Sequence, residues 1–215
     1  MLLIAPTVWW VFYFLYSFMD DNNYVFALDV DGVLNNETFK SNWMREHEGL
    51  DRNYLEIRFD HLFEHPTGMP FFDGRIYPDN LANWNKLIET LGDAQVVFSS
   101  DWRFICDGTY SNVASVEVIQ SLFTHRDIKG NVIGATPYVH DHDRATEILR
   151  YIRENPDIVK DAKILILDDL QEPQDVPRIV KGRYDIKDCK AIWTYYKEGL
   201  TKKDVKEAIE FFKED

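Results

Sequence analysis

The chain has 215 residues, room for one domain of α/β size or one domain with a modest insertion. With 45% hydrophobic and 28% charged residues it can build a core, which excludes wholesale disorder. Lys and Arg total 24 against 37 Asp and Glu, a formal net charge of −13, so no stable nucleic-acid binding is expected from a basic surface. A local basic patch, or a metal bridging to a polyanion, stays open. Cys106 and Cys189 lack disulfide-framework or zinc-type spacing, which suits a reducing, cytoplasmic compartment.

Residues 1–23 read as a hydrophobic extension. Between Leu2 and Met19 there is no charge, 15 of 18 residues are apolar and seven are aromatic, until Asp20 and Asp21 end the run. A bilayer needs about 20 apolar residues, so the length is borderline. No Lys or Arg precedes the run, and Pro6 interrupts it. Membrane contact through residues 2–19 and a buried extra element both stay open as readings.

From residue 24 onward short apolar runs alternate with amphipathic stretches. Val25–Leu28 reads as a buried strand. Asp79 is expected to cap a helix carrying Leu81, Trp84, Leu87, Ile88 and Leu91, stopped by Gly92. Gln95–Phe98 is the second strand, Val113–Phe123 a helix and Asn131–Ile133 a short strand. Asp143 is placed to cap a helix bearing Ala145, Ile148, Leu149 and Ile152, ended by Pro156. Lys163–Leu167 is the clearest strand and Ala191–Trp193 a weaker one. Thr201 with Asp204 three residues on resembles a capping box, opening a last helix with Val205, Ala208, Ile209 and Phe212. Strands separated by helices predict an α/β fold, an open parallel sheet with helices on both faces. Ligands of such sheets bind beyond the carboxyl ends of the strands.

Those ends carry the chemistry. Asp29-Val30-Asp31-Gly32 follows the first strand, and the alternation of a strand lets Asp29 and Asp31 face one site. Ser99-Ser100-Asp101-Trp102-Arg103 follows the second strand, and Asp168-Asp169 the Lys163–Leu167 strand. Carboxylates converging on one edge repel unless a cation neutralises them, and hard oxygen ligands suit Mg²⁺. A metal, a nucleophilic carboxylate and nearby Ser and Arg donors form a kit for phosphoryl transfer through an aspartyl-phosphate.

These motifs resemble the haloacid dehalogenase (HAD) superfamily, mostly phosphatases and phosphotransferases. LDVDGVLN is similar to its first motif, VVFSS to its second and LILDD to its fourth. SSDWR, IGATP at 133–137 and GLT at 199–201 resemble the small-cap HAD domains of Swiss Army knife RNA-repair proteins, over residues 24–212. The resemblance implies a Rossmann-like core with a small cap or insertion at 35–78. It implies that Asp29 is the nucleophile and a metal ligand. Asp31 becomes the general acid and base, its carbonyl also on the metal. Ser100, or Ser99, holds a phosphoryl oxygen, and Asp168 and Asp169 hold Mg²⁺. The third motif, usually Lys, is best matched by Arg144, whose fork suits oxyanions. Lys163 begins its strand and is expected at the far edge of the sheet. The expected substrate is a small phosphate ester or a nucleic-acid phosphate end. The alternative is a noncatalytic module of the same fold that binds a phosphorylated partner.

Other clusters carry less. His61 with His65, and His140-Asp141-His142-Asp143, lack a third ligand at a recognisable spacing. Trp102 and Arg103 read either as substrate contacts or as packing under the site and pairing with an acidic neighbour. Residues 35–78 interleave Trp43, Arg45, Arg52, Tyr54 and Arg58 with acidic residues. They read as a helical insertion packed on the core or as a nucleotide-binding cover.

Overall fold

The computed structural model describes residues 23–38, 76–92, 94–104, 115–139 and 143–214. The hydrophobic run at 2–19, Cys106, most of the 35–78 insertion and the His61/His65 and His140–His142 clusters lie outside them. Among the described residues no helix is long and apolar enough to cross a membrane.

Five parallel strands form one sheet: β1 Tyr24–Leu28, β2 Ala94–Phe98, β3 Asn131–Ala135, β4 Lys163–Asp168 and β5 Asp188–Trp193. Their spatial order is β3-β2-β1-β4-β5, so β1 is central, with β2 and β4 as its neighbours. The chain builds outward on one side of β1 and then returns to build on the other. This reversal opens a crevice at the carboxyl end of β1.

The strands are continuous apolar runs because both faces are covered. Alternation sends Phe26 and Leu28 of β1 into one core and Val25 and Ala27 into the other. The first core is closed by helices α1 Pro78–Leu91, α2 Val116–His125 and α6 Lys202–Lys213 through Trp84, Leu87, Phe123 and Phe212. Trp84 is fully buried, meets Phe26 edge-on at 5.3 Å between centroids, and donates its indole N–H to the Lys129 carbonyl at 2.8 Å. The second core is closed by α3 Arg144–Glu154, α4 Pro156–Val159 and α5 Val176–Val180 through Ile148, Tyr151, Ile152, Val159 and Val176. Helices therefore lie on both faces, as the alternation of elements predicts.

One helix start differs from expectation. Asp79 does not cap α1: Tyr77 occupies the N-cap position without a side-chain capping bond, and Pro78 opens the first turn. Proline brings its φ already near the helical value and has no N–H to leave unpaired, so the helix begins one residue before the acid. Asp79 sits in the first turn, where its charge still suits the helix dipole. The Val113–Phe123 helix begins at Val116, with the Ser115 side chain accepting from the Val118 N–H. Asp143 and Thr201 cap as expected, the latter in a full capping box with Asp204.

Thr201→Ala removes one side of that box and leaves an N-terminal N–H of α6 without its partner. The expected cost is about 1 kcal/mol, read as a lowered urea midpoint with an unchanged slope. An unshifted midpoint would show that solvent satisfies the helix end equally well.

Candidate active site

The parallel ladder runs one residue past four of the five strands and delivers a polar side chain there. Asp29 N–H donates to Leu167 O at 3.0 Å, Ser99 N–H to Leu28 O at 2.8 Å, Thr136 N–H to Phe98 O at 3.0 Å and Thr194 N–H to Asp168 O at 3.0 Å. All four residues are buried. The carboxyl edge of an apolar sheet thus ends in a polar row, centred on Asp29.

The Asp29 Oδ1 accepts the Val30 N–H at 2.7 Å, and the nearby Ser100 hydroxyl favours the ionised carboxylate. Ser99 Oγ has no hydrogen-bond partner among the described residues, whereas Ser100 Oγ accepts the Trp102 N–H at 3.4 Å. After Val30 the chain turns tightly, with the N–H groups of Val33, Leu34 and Asn35 all donating to its carbonyl. Gly32 sits at φ +67°, and a Cβ there would overlap the Asp169 carboxylate. Both its backbone conformation and the approach of β4 require glycine. The turn holds Asp31 by both oxygens: Asn35 Nδ2 donates to Oδ1 at 2.6 Å, and Trp102 Nε1 donates to Oδ2 at 2.7 Å. Thr194 beyond β5 clamps the same turn, donating its hydroxyl to Gly32 O at 2.7 Å.

Asp168 is fully buried; Oδ1 accepts the Leu170 N–H at 2.9 Å, and Oδ2 faces Arg144 Nε at 3.5 Å without a hydrogen bond. Carboxylate oxygens of Asp29, Asp168 and Asp169 lie within 4.8 Å of one another. Burial first, then the charge of Asp168, pushes the Asp29 carboxyl well above the usual carboxylate range, with Arg144 pulling the other way. Burial also raises Asp168 against the pull of Arg144, and burial followed by the Asp31 charge raises Asp169. The cluster holds more negative charge than its surroundings stabilise.

Arg144 opens α3 just after the Asp143 cap, which accepts the Ala145 N–H at 3.1 Å. Its three nitrogens reach three different carboxylates: Nε to Asp168 at 3.5 Å, Nη1 to Glu147 at 3.4 Å and Nη2 to Asp101 at 3.4 Å. Burial alone would lower its pKa, but Asp29, Asp168, Asp101 and Glu147 outweigh that and hold it charged. Buried Glu147 also takes Arg103 Nη2 at 2.6 Å, while Arg103 Nη1 donates to the Ser100 carbonyl at 2.7 Å. One carboxylate thereby ties the loop after β2 to the start of α3. Lys163 is elsewhere: at the amino end of β4 its Nζ donates to the carbonyls of Phe211, Phe212 and Glu214.

The structure brings together Asp29, Asp31, Ser100, Arg144, Asp168 and Asp169. Trp102 and Arg103 pack under the site and pair with acids, one of their two sequence readings. Glu147, Asn35 and Thr194 carry the frame without having been singled out. The spacing of Glu147 three residues after Arg144 on a helix was a usable signal. Asn35 and Thr194 gave none, since their partners are a side chain four residues away and a carbonyl 162 positions distant in sequence.

Over residues 25–205 the sequence matches the family model described as the HAD domain in Swiss Army Knife RNA repair proteins. The chain belongs to this family. No curated protein and no solved structure matches it. Membership in this HAD family, together with the buried carboxylate cluster, points to phosphoesterase-type chemistry.

Glu147→Ala would leave two buried guanidinium groups without their shared counter-ion. A stability loss of about 3–5 kcal/mol is expected, measured by chemical denaturation, with Glu147→Gln less severe because it keeps hydrogen-bond acceptors. A loss below about 1 kcal/mol would mean water or Asp101 replaces it.

Proposed function

We propose that the chain is a Mg²⁺-dependent phosphomonoester hydrolase working through an aspartyl-phosphate on Asp29. The observation that supports this best is the grouping of Asp29, Asp168 and Asp169 within 4.8 Å, beside the single guanidinium of Arg144. Their crowded oxygens and upward-shifted carboxyls are what a hard dication would relieve, and Asp168 Oδ2 has no hydrogen-bond donor among the described residues. Asp29, Asp168 and Asp169 would hold Mg²⁺, with the Asp31 carbonyl. When bound, the ion supplies charge neutralisation at the phosphoryl oxygens.

The residues then divide the work. A carboxylate oxygen of Asp29 attacks phosphorus, forming the P–O bond of the aspartyl-phosphate as the ester P–O bond breaks. Asp31 gives its proton to the departing oxygen, which leaves as an alcohol. Asp31, now ionised, takes a proton from a water that attacks phosphorus, and the bond to Asp29 breaks to release phosphate. Ser100, with Ser99 as the alternative, would donate to a phosphoryl oxygen, as would Arg144 through the N–H groups its three carboxylates leave over. Arg144 thus takes the place usual for Lys. Asp29 and Asp31 have environments suited to different tasks: the first is buried and shifted upward, the second exposed and held by two neutral N–H donors.

A nucleotide or polynucleotide phosphate end is the substrate class we favour, from the family's RNA-repair context. A cytoplasmic setting fits that class. A noncatalytic module would bind phosphate with Ser100 and Arg144 alone and would have no use for an oriented Asp31.

Wild-type protein is expected to hydrolyse p-nitrophenyl phosphate with Mg²⁺ and not with EDTA. Asp29→Asn should lower kcat by roughly a thousandfold or more, and Asp31→Asn by about 10²–10⁴. Independently of turnover, Mg²⁺ should raise the thermal midpoint of the wild type and not of Asp168→Asn. Mg²⁺ stabilisation without turnover on any phosphate ester would favour the binding module.

A further inference from the structure

Among the described residues, the large apolar side chains left in solvent are Leu170, Trp193, Tyr195 and Tyr196. They are not scattered. Leu170 follows Asp169 at the end of β4, and the three aromatics follow or end the adjacent β5. Isolated exposed hydrophobes need no explanation, but a group of them gathered beside one site does.

The local geometry shows why they face outward. Thr194 turns inward to donate to Gly32 O, so alternation sends its neighbours Trp193 and Tyr195 the other way, 59% and 49% exposed. Trp193 does not swing freely: its Nε1 donates to the backbone carbonyl of Asp169 at 2.7 Å. The indole is pinned by one edge to a residue of the carboxylate cluster, which leaves its face to solvent. Tyr196 packs edge-on against Tyr195 at 5.1 Å between centroids, with Lys197 Nζ 5.6 Å from its ring. The result is an aromatic ledge with one cation, in a chain whose overall charge is −13.

We infer that this ledge is a base-stacking subsite, with Trp193 its main platform, for a nucleobase carried on the phosphate that enters the Asp29 site. The inference rests on the hydrolase reading only for the position of the phosphate. Distance selects the ligand. β5 lies two strands from β1, and strands are spaced about 4.8 Å apart, so Trp193 is offset about 10 Å from Asp29. That separation accommodates a sugar between phosphorus and ring. A phosphotyrosine ring, joined directly to the phosphate oxygen, would sit short of the ledge. Stacking is indifferent to base identity because every base has a π-face, and Lys197 suits the next phosphate of a single strand. It also reconciles an acidic protein with a nucleic-acid substrate: one stacked terminal base binds without a basic surface.

The test has two arms. In the first, kcat/KM is measured with nucleoside monophosphates, ribose 5-phosphate and a phosphotyrosine peptide for wild type, Trp193→Ala and Trp193→Phe. Trp193→Ala should lower kcat/KM about tenfold on nucleotides alone. Trp193→Phe, which keeps a ring and loses the bond to Asp169, should restore most of it. An equal fall on ribose 5-phosphate would show that Trp193 merely supports Asp169, and a fall confined to the peptide would assign the ledge to a protein ligand. Either overturns the inference. The second arm needs no turnover. A short phosphorylated thymidine strand and an abasic strand of equal length are titrated by fluorescence anisotropy onto Asp29→Asn protein, with and without Trp193→Ala. Tighter binding of the base-bearing strand, lost with Trp193→Ala, supports the ledge even if the hydrolase reading fails. Equal binding of the two strands rejects the ledge even if that reading stands.

Discussion

Two carboxylates buried side by side at the ends of neighbouring strands, Asp29 and Asp168, set the terms for the rest of this structure. Each loses its hydration, and the charge of Asp168 raises the cost of ionising Asp29 further. An uncompensated buried charge costs several kcal/mol, against a total stability of about 5–15 kcal/mol for a typical domain. Arg144 is the cation that offsets this, and its position is determined from several sides. The Asp143 cap sets the start of its helix, while Asp101, Glu147 and Asp168 each engage a different nitrogen. A lysine ammonium offers its donors from one point and cannot span three separated carboxylates. The choice of arginine at this position follows from that geometry.

The same constraint explains the second buried arginine. Glu147 faces Arg144, but one guanidinium 3.4 Å away is weak compensation for a buried glutamate that another arginine meets at 2.6 Å. Arg103 also donates through Nη1 to the Ser100 carbonyl in the loop after β2. The loop that carries Ser100 and the arginine that faces Asp168 are thereby coupled through one carboxylate. Removing Glu147, Arg103 or Arg144 weakens the compensation of another buried charge, so the network behaves as a unit rather than as separate contacts.

Much of this was legible in the sequence because parallel sheets write simply. Buried strands are unbroken apolar runs, and the first polar residue after each marks the edge where ligands bind: Asp29, Ser99 and Asp168 all follow from that rule. The Thr201–Asp204 box was legible because capping is local. Asp79 misled because two local signals compete at that helix start, and proline at the first position outranks an acid one residue later. Thr194, Asn35 and the pairing of Trp102 with Asp31 were not legible. The Asn35 bond depends on the tight turn that follows β1. The other two depend on which strand ends lie side by side, and the order β3-β2-β1-β4-β5 is a property of the whole sheet rather than of any segment.

Two tryptophans show how burial separates roles that chemistry alone would leave equal. Trp102 and Trp193 each donate an indole N–H to the acidic turns of the site, at 2.7 Å in both cases, the first to the Asp31 carboxylate and the second to the Asp169 carbonyl. Trp102 is buried, so its donor fixes the acid while its ring fills the core cluster beneath. Trp193 makes the same bond from the sheet edge, where no described side chain covers its ring. A phenylalanine there would lose the anchor, and a polar residue would leave less apolar surface in water. Retaining an indole at this position has a hydration cost that the hydrogen bond to Asp169 alone does not require. The exposed face is therefore the feature that needs a ligand, and its attachment to the carboxylate cluster specifies where that ligand's phosphate must lie.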